Sequence, residues 1–448
     1  MKIFVLILFI ATFALIIAIP KYKPLITGIT AAVCSVACAI SGHMLWHEAF
    51  SEAINYNVVM MLVGIMITVG LFSESNMPNK LADKIISKVP NAMWILVLLS
   101  LLSGIISAFV DNVATVLMLA PIGLAVAKKA DVSPIPVLIS IAVSSNLQGA
   151  ATLVGDTTSV MLAGELGMSF MDFFVFNGKA SIFWAVELGM LVTIPVLIFI
   201  FRKNNRRFEF ISTPVNVTTL FPTFALLLNI ACLVLCSFIT LPEGFLANNV
   251  NGLVCLFFGI VCLIHHLITA KATETVLDDG TKAVTGGKKQ AWKTIFGTID
   301  YQTVLFLVFL FIVIQAVEKV GIIADISAFF GSIGESNIFL LYTLIVFGSV
   351  LISAFIDNIP YVATMLPVIM GLGVPPEIQI LLCFGLLSGA TLGGNITPVG
   401  ASANVVAIGM LNREGYKVKS SDFFKIGIPF TLAAVLSAYV LIWLVWGI

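Results

Sequence analysis

Three carboxylates fall within or beside long apolar runs of this chain: Asp111, Asp156 and Asp357. An ionised carboxylate at the centre of a bilayer costs about 2.5 to 3.5 kcal/mol on insertion scales, so each needs a reason to be there. Binding or relaying a small cation is the chemistry that supplies one. Asp111-Asn112 and Asp357-Asn358 each interrupt an apolar segment near its middle. Helix ends at such points leave backbone groups free to ligate an ion such as Na⁺. Asp and Asn also cap helices well, so a structural cap is the competing reading.

Two glycine-rich stretches, 149–158 and 393–404, interrupt otherwise apolar spans in the same way. Glycine and proline break helices, and an unwound segment at mid-membrane exposes carbonyls and amides. Gly155 and Gly400 mark the breaks, while Thr152, Thr157, Asn395, Thr397, Ser402 and Asn404 add neutral oxygen ligands. Thr115 and Asn146 extend the candidate set, a purely structural kink being the alternative. Glu187 lies within another span and reads as a structural contact. The seven cysteines are odd in number and lie in apolar stretches, and no Cys/His cluster has metal-ligand spacing, so neither a disulfide framework nor a cofactor is expected. The only bound species expected are the transported solute and a coupling Na⁺ or H⁺.

The elements that must position these residues follow from composition. Of 448 residues 60% are hydrophobic and 10% charged, against about 25% charged in a soluble domain. That excludes an ordinary water-soluble enzyme. With 23 basic and 23 acidic residues there is no positive excess to attract nucleic acid. The lipid bilayer is the expected surrounding, and the fold expected is an all-α polytopic membrane protein. Apolar runs give about ten crossings, including 3–19, 24–42, 56–72, 135–168, 180–201, 221–240, 250–270, 301–318, 378–412 and 426–447. Segments 92–127 and 337–373 are too long for one helix and read as re-entrant hairpins with the Asp-Asn pairs at their tips.

The positive-inside rule tests this layout. With both termini outside, 20 of the 23 Lys and Arg fall on the cytoplasmic side, and treating either hairpin as a crossing would scramble that bias. Every Lys and Arg then lies in a loop or at a span end, which leaves no basic side chain for a multivalent anion at the centre. Lys80, Lys84 and Lys88 recur beside Leu81, Ile85 and Val89, as in a helix lying on the cytoplasmic surface. The stretch 271–298, with Asp278-Asp279-Gly280, reads as a polar linker.

The chain also repeats itself. Ile106 to Asn112 recurs as Ile352 to Asn358 with six of seven residues identical, and Gly149 to Gly164 aligns with Gly394 to Gly409 at nearly the same offset. Five crossings separate equivalent points, so the second copy is inverted. The first repeat covers 1–207, with cytoplasmic-side hairpin 92–127 and broken helix 135–168. The second covers 208–448, with linker 271–298, outer-side hairpin 337–373 and broken helix 378–412. Inverted repeats are a transporter signature, because two oppositely facing copies make inward-open and outward-open states nearly equivalent.

At these residues the sequence resembles the ion transporter superfamily, in the branch with arsenite permeases, NhaD-type sodium/proton antiporters and the pigmentation P protein. The motifs are Ser107 to Asn112, Ser353 to Pro360, and Gly393 through Val406. The second-half motif looks closest to the P protein, whereas Gly155-Asp156-Thr157-Thr158-Ser159 is nearer to the NhaD-type pattern. The resemblance implies a homodimer in a bacterial-type plasma membrane, with a scaffold and a transport domain that slides as an elevator. In the more distant dicarboxylate/sodium symporters, Ser-Asn-Thr at the hairpin tips binds Na⁺ and substrate carboxylate; here Asp111 and Asp357 replace that serine. Two functions stay open: sodium/proton exchange on Asp111, Asn112, Asp156, Asp357 and Asn358, or Na⁺- or H⁺-coupled transport of citrate, a dicarboxylate or arsenite.

Overall fold

A chain this apolar satisfies its backbone groups in a bilayer most simply by forming helices. In the computed structural model, which describes residues 1–45, 47–208, 215–239, 242, 244–270, 272–276 and 282–448, the chain is an all-α polytopic membrane protein. Eight of its helices are long and apolar enough to span a membrane.

The chain opens with α1 (Lys2–Ala18), α2 (Lys23–Ile40), a short α3 (Glu48–Ser51) and α4 (Tyr56–Glu74). Then come α5 (Met77–Ile86), α6 (Ala92–Ser107), α7 (Asn112–Lys129), α8 (Pro134–Gly149), α9 (Thr157–Leu166) and α10 (Ile182–Phe201). The second half begins with α11 (Phe221–Cys236), α12 (Phe245–Thr269), α13 (Gly287–Thr298) and α14 (Tyr301–Lys319). It continues through α15 (Ile322–Ser336), α16 (Ile338–Ser353), α17 (Asn358–Met370), α18 (Pro376–Gly393), α19 (Ser402–Arg413) and α20 (Ser420–Trp446). The only strands among the described residues form two antiparallel pairs, β1 (Val175–Phe176) with β2 (Lys179–Ala180) and β3 (Ala272–Val276) with β4 (Lys282–Gly286).

Breaks fall where the side chains can compensate them. Asp111 caps α7, its Oδ1 accepting from the Val113 and Ala114 N–H groups at 3.0 and 3.2 Å. Asp357 caps α17 and Asp156 caps α9 in the same manner. A cap of this kind contributes about 1 kcal/mol, so the capping role is real at all three aspartates.

Two expectations need correction, and one helix has no counterpart in the sequence reading. The linker expected over 271–298 ends earlier, because residues 287–298 form α13 with Ala291 and Ile295 buried against α4 and α12. The spacing of Ala291, Trp292, Ile295 and Phe296 is helical, and the lysines around it masked the stripe. Asp278-Asp279-Gly280 lies outside the described residues. Lys80 and Lys84 on α5 and Lys88 just after it are exposed, but the helix stops before Lys88 and rests on Pro78, Ala82 and Ile86 while Leu81 and Ile85 stay exposed. Finally, α15 was not anticipated. It packs on α16 and α17 much as α5 packs on α6 and α7.

Two helices occupy the centre. Every residue of α8 from Val137 to Gly149 is buried, including Ser140, Ser144, Ser145, Asn146 and Gln148, and α18 is buried from Ile380 onward. Polar groups at that depth need partners; those of Ser145 and Asn146 build the site, while Ser140 Oγ, Ser144 Oγ and Gln148 Oε1 have no hydrogen-bond partner among the described residues.

Candidate functional site

Chain breaks at 108–111, 150–156, 354–357 and 394–401 converge between α8 and α18. Around the first tip, Thr152 Oγ1 donates to the Ala108 carbonyl, and Ser107 Oγ donates to Asn112 Oδ1 at 2.7 Å. Around the second, Thr397 Oγ1 donates to the Ala354 carbonyl. The unwound loops close in a matching way: Ser159 Oγ donates to the Gly149 carbonyl at 3.3 Å, and Asn404 Nδ2 to the Gly394 carbonyl at 3.0 Å. A methyl group on Gly155 or on Gly400 would lie 2.6 Å from the Gly149 or Gly394 carbonyl oxygen, respectively. Only glycine fits either position.

A ladder of amides ties the breaks together. Asn112 Nδ2 donates to Asn146 Oδ1 at 3.1 Å; Asn146 Nδ2 in turn donates to Asn395 Oδ1 at 3.1 Å and to the Thr391 carbonyl at 2.8 Å. Asn395 Nδ2 finishes on the Val143 carbonyl at 3.0 Å. Asp156 faces the other half: its Oδ2 accepts from Thr158 Oγ1 at 3.0 Å and from Asn358 Nδ2 at 3.3 Å, while Oδ1 accepts from the Thr157 N–H at 2.7 Å.

These groups open onto a cavity of about 610 Å³. Of the sequence-predicted residues, Asp111, Asn112, Asn146, Asp156, Thr157, Asp357, Asn358 and Ser402 line it. Thr115, Thr152, Gly155, Asn395, Thr397, Gly400 and Asn404 do not; they stand behind the wall, where most of them brace the loops and tips. A larger cavity of about 990 Å³, lined by Glu52, Glu165, Gln315 and Glu318 among others, touches none of the predicted residues. The two lie at opposite ends of α9 and α17: Thr157 and Asn358 face the smaller, Gly164 and Met370 the larger.

Sequence reasoning missed several contributors. Glu74 and Asp300 add carboxylates to the smaller cavity, and Asp300 caps α14 through the Gln302 and Thr303 N–H groups. Thr158 touches the Asp156 carboxylate directly, although its position beside Thr157 offered a signal. Lys23 stands at a span end, the first residue of α2, yet its Nζ reaches to 2.5 Å from Asp357 Oδ2, a contact the sequence does not reveal. No lysine or arginine is among the described residues lining the cavity itself.

Five helix N-termini meet here, those of α7, α9, α14, α17 and α19. Aspartate caps the first four, whereas α19 follows Ala401 and has no side-chain cap. The arrangement therefore offers carboxylates and amide oxygens to a cation, and one uncompensated helix start to an anion.

Comparison with known proteins agrees with a transporter. The chain is 29% identical over 98% of its length to an uncharacterized transporter of Mycobacterium tuberculosis, covering 97% of it. It is 27% identical over 90% of its length to the P protein of Mus musculus, spanning about half (55%) of that longer protein. In fold it is similar to the YdaH transporter of Alcanivorax borkumensis, with a TM-score of 0.57 at 13% identity, covering 95% of this chain and 97% of that one. MtrF of Neisseria gonorrhoeae has the same TM-score of 0.57 at 14% identity, covering 91% and 83% respectively. The protein is thus an integral membrane protein that carries a small solute by secondary active transport, and is not an enzyme. The CitMHS profile, described as citrate transporter, matches residues 5–381, and the chain belongs to that family.

Proposed function

We propose that the smaller cavity binds the coupling cation and that the protein exchanges sodium for protons. One observation carries this reading: Asp111, Asp156 and Asp357 line one cavity with the amide side chains of Asn112 and Asn358, and no lysine or arginine is among the described residues lining it, Lys23 reaching only Asp357. Na⁺ and H⁺ would compete for the same carboxylates, so arrival of one releases the other. That competition is the coupling.

We read 1–207 and 208–448 as inverted repeats, with 92–127 and 337–373 as re-entrant hairpins. The matching bonds from Thr152 and Thr397, and from Ser159 and Asn404, support this. An elevator is supported by the packing pattern. Helices α2 and α14 pack together, as do α4 and α12, while α6, α7 and α8 pack on one another and α16 packs on α18. The lysine bias supports a reading with the smaller cavity on the cytoplasmic side and the termini outside. The dimer rests on the family resemblance.

A second reading is favoured by Ala401, which stands where the first half has Asp156, and by the family description. There the cation would neutralise the aspartates while a citrate carboxylate takes the first-turn N–H groups of α19. Proteoliposomes with a trapped pH dye separate the two. Proton movement on adding Na⁺ or Li⁺, lost in Asp156→Asn, supports exchange; sodium- or proton-driven uptake of labelled citrate without cation-evoked proton release supports the second reading.

A further inference from the structure

Away from the transport cavity, α8, α10 and α20 meet at a second built feature. Pro195 lies inside α10 and Pro429 inside α20. Proline within a helix removes a hydrogen bond and displaces the preceding turn. Between these two helices and the start of α8 runs a groove of about 830 Å³. Its walls are apolar, with Ile135, Val196, Phe199, Ile200 and Ile426, and one end carries Arg202, Lys203 and Lys425.

Those three cations are exposed, and none is paired with a carboxylate among the described residues. Asp422, the one acid on the groove, accepts the Lys419 N–H at 3.2 Å and caps α20. Arg202 lies over the Phe199 ring, 4.0 Å from its centroid, at the junction of charged end and apolar wall.

Depth decides what can occupy such a groove. Both α10 and α20 are long and apolar enough to span a membrane, and Arg202 follows directly on the last residue of α10. The cations therefore sit where hydrocarbon gives way to headgroups. A single lysine at that level simply extends to water. Three beside one apolar groove form a receptor for a molecule that is anionic at one end and hydrocarbon at the other. We propose that the groove binds an anionic phospholipid, its phosphate against Arg202, Lys203 and Lys425 and one acyl chain along Val196, Phe199 and Ile426. A soluble anion would leave the apolar wall uncovered, and a zwitterionic lipid would bring its own ammonium against three cations.

The test is native mass spectrometry of the purified full-length protein in detergent, with phosphatidylglycerol or phosphatidylcholine added. The wild type should retain one phosphatidylglycerol per chain with about tenfold preference over phosphatidylcholine. Arg202→Gln/Lys203→Gln/Lys425→Gln should lose that preference. Val196→Trp, which keeps every charge and fills the groove, should lose it too. Lys80→Gln/Lys84→Gln/Lys88→Gln, an equal charge change on and just after α5, should keep it. Equal retention of both lipids by the wild type, equal loss in the α5 variant, or displacement of the lipid by inorganic phosphate at matched concentration would each overturn the proposal. Elution volume in size exclusion confirms that each variant is folded before it is scored.

Discussion

Lys23 at the start of α2 holds its Nζ 2.5 Å from Oδ2 of Asp357 at the start of α17, across 334 residues of sequence. Asp111, at the equivalent tip of the first half, has no such cation among the described residues, although both aspartates accept backbone N–H groups through Oδ1. The two tips are alike in sequence and unlike in charge. One carries its own ammonium and the other is open to a cation from solution.

Lys23→Gln should therefore free Asp357 for the solute cation. The half-saturating Na⁺ concentration in the pH-dye assay should fall by roughly three- to tenfold, the range of a partly exposed ion pair. Lys23→Gln/Asp357→Asn should return it toward the wild-type value. An unchanged Na⁺ dependence in the single variant would make the pair a structural tie only.

Asp156→Asn should abolish coupled transport, at least about a hundredfold in initial rate. Asn keeps an oxygen to accept the Thr157 N–H, and its Nδ2 can donate to Thr158 Oγ1 in place of the bond Asp156 accepted, so the folded protein should survive. Full activity in a variant with a wild-type melting curve would remove Asp156 from the mechanism.

Gly155→Ala and Gly400→Ala should each destabilise by about 1 to 3 kcal/mol, since the new methyl meets a carbonyl oxygen that cannot retreat. Thermal melting in detergent reads this directly. A melting temperature equal to the wild type for both would mean that the loops relax freely.

Asn146→Ala removes the central rung of the amide ladder and leaves Asn112 and Asn395 short of partners, a loss of about 1 to 3 kcal/mol. Asn112→Ala/Asn146→Ala should cost clearly less than the sum of the single changes. Strict additivity in the melting data would contradict the ladder.

Ala401→Asp supplies the second half with the cap that the first half has. Exchange should persist in this variant, and labelled citrate uptake, if the wild type shows any, should be lost. Retained citrate uptake would place the anion away from α19.

Much of this was legible in the sequence because breaking a membrane helix requires particular residues. Asp-Asn pairs and glycine clusters are the few ways to do so, and the repeat made each break visible twice. Eight of the residues singled out in the sequence line one cavity. Contacts that span the chain were not legible: nothing local to Lys23 points to Asp357, and no motif marks an absence such as Ala401. Helix α13 was hidden because its stripe of Ala291, Trp292, Ile295 and Phe296 is short and interleaved with lysines, so composition outweighed periodicity. Residues such as Thr397 and Asn404 suggest ligands by type, whereas Thr397 Oγ1 donates to the Ala354 carbonyl of the neighbouring tip and Asn404 Nδ2 to the Gly394 and Thr397 carbonyls of its own loop.

The two cavities at opposite ends of α9 carry an electrical consequence. α9 is ten residues long, about 15 Å, against about 30 Å for a bilayer core. If the two cavities open to opposite sides of the membrane, as the proposed transport requires, water in them would conduct, the membrane potential would fall across that short septum and its field would be about doubled. A charge crossing it still gains about 2.3 kcal/mol per 100 mV, gathered over half the distance. A displacement of a few ångströms by a tip bearing an unneutralised aspartate then moves a sizeable fraction of one elementary charge, so turnover in sealed vesicles becomes a voltmeter for which carboxylates travel empty.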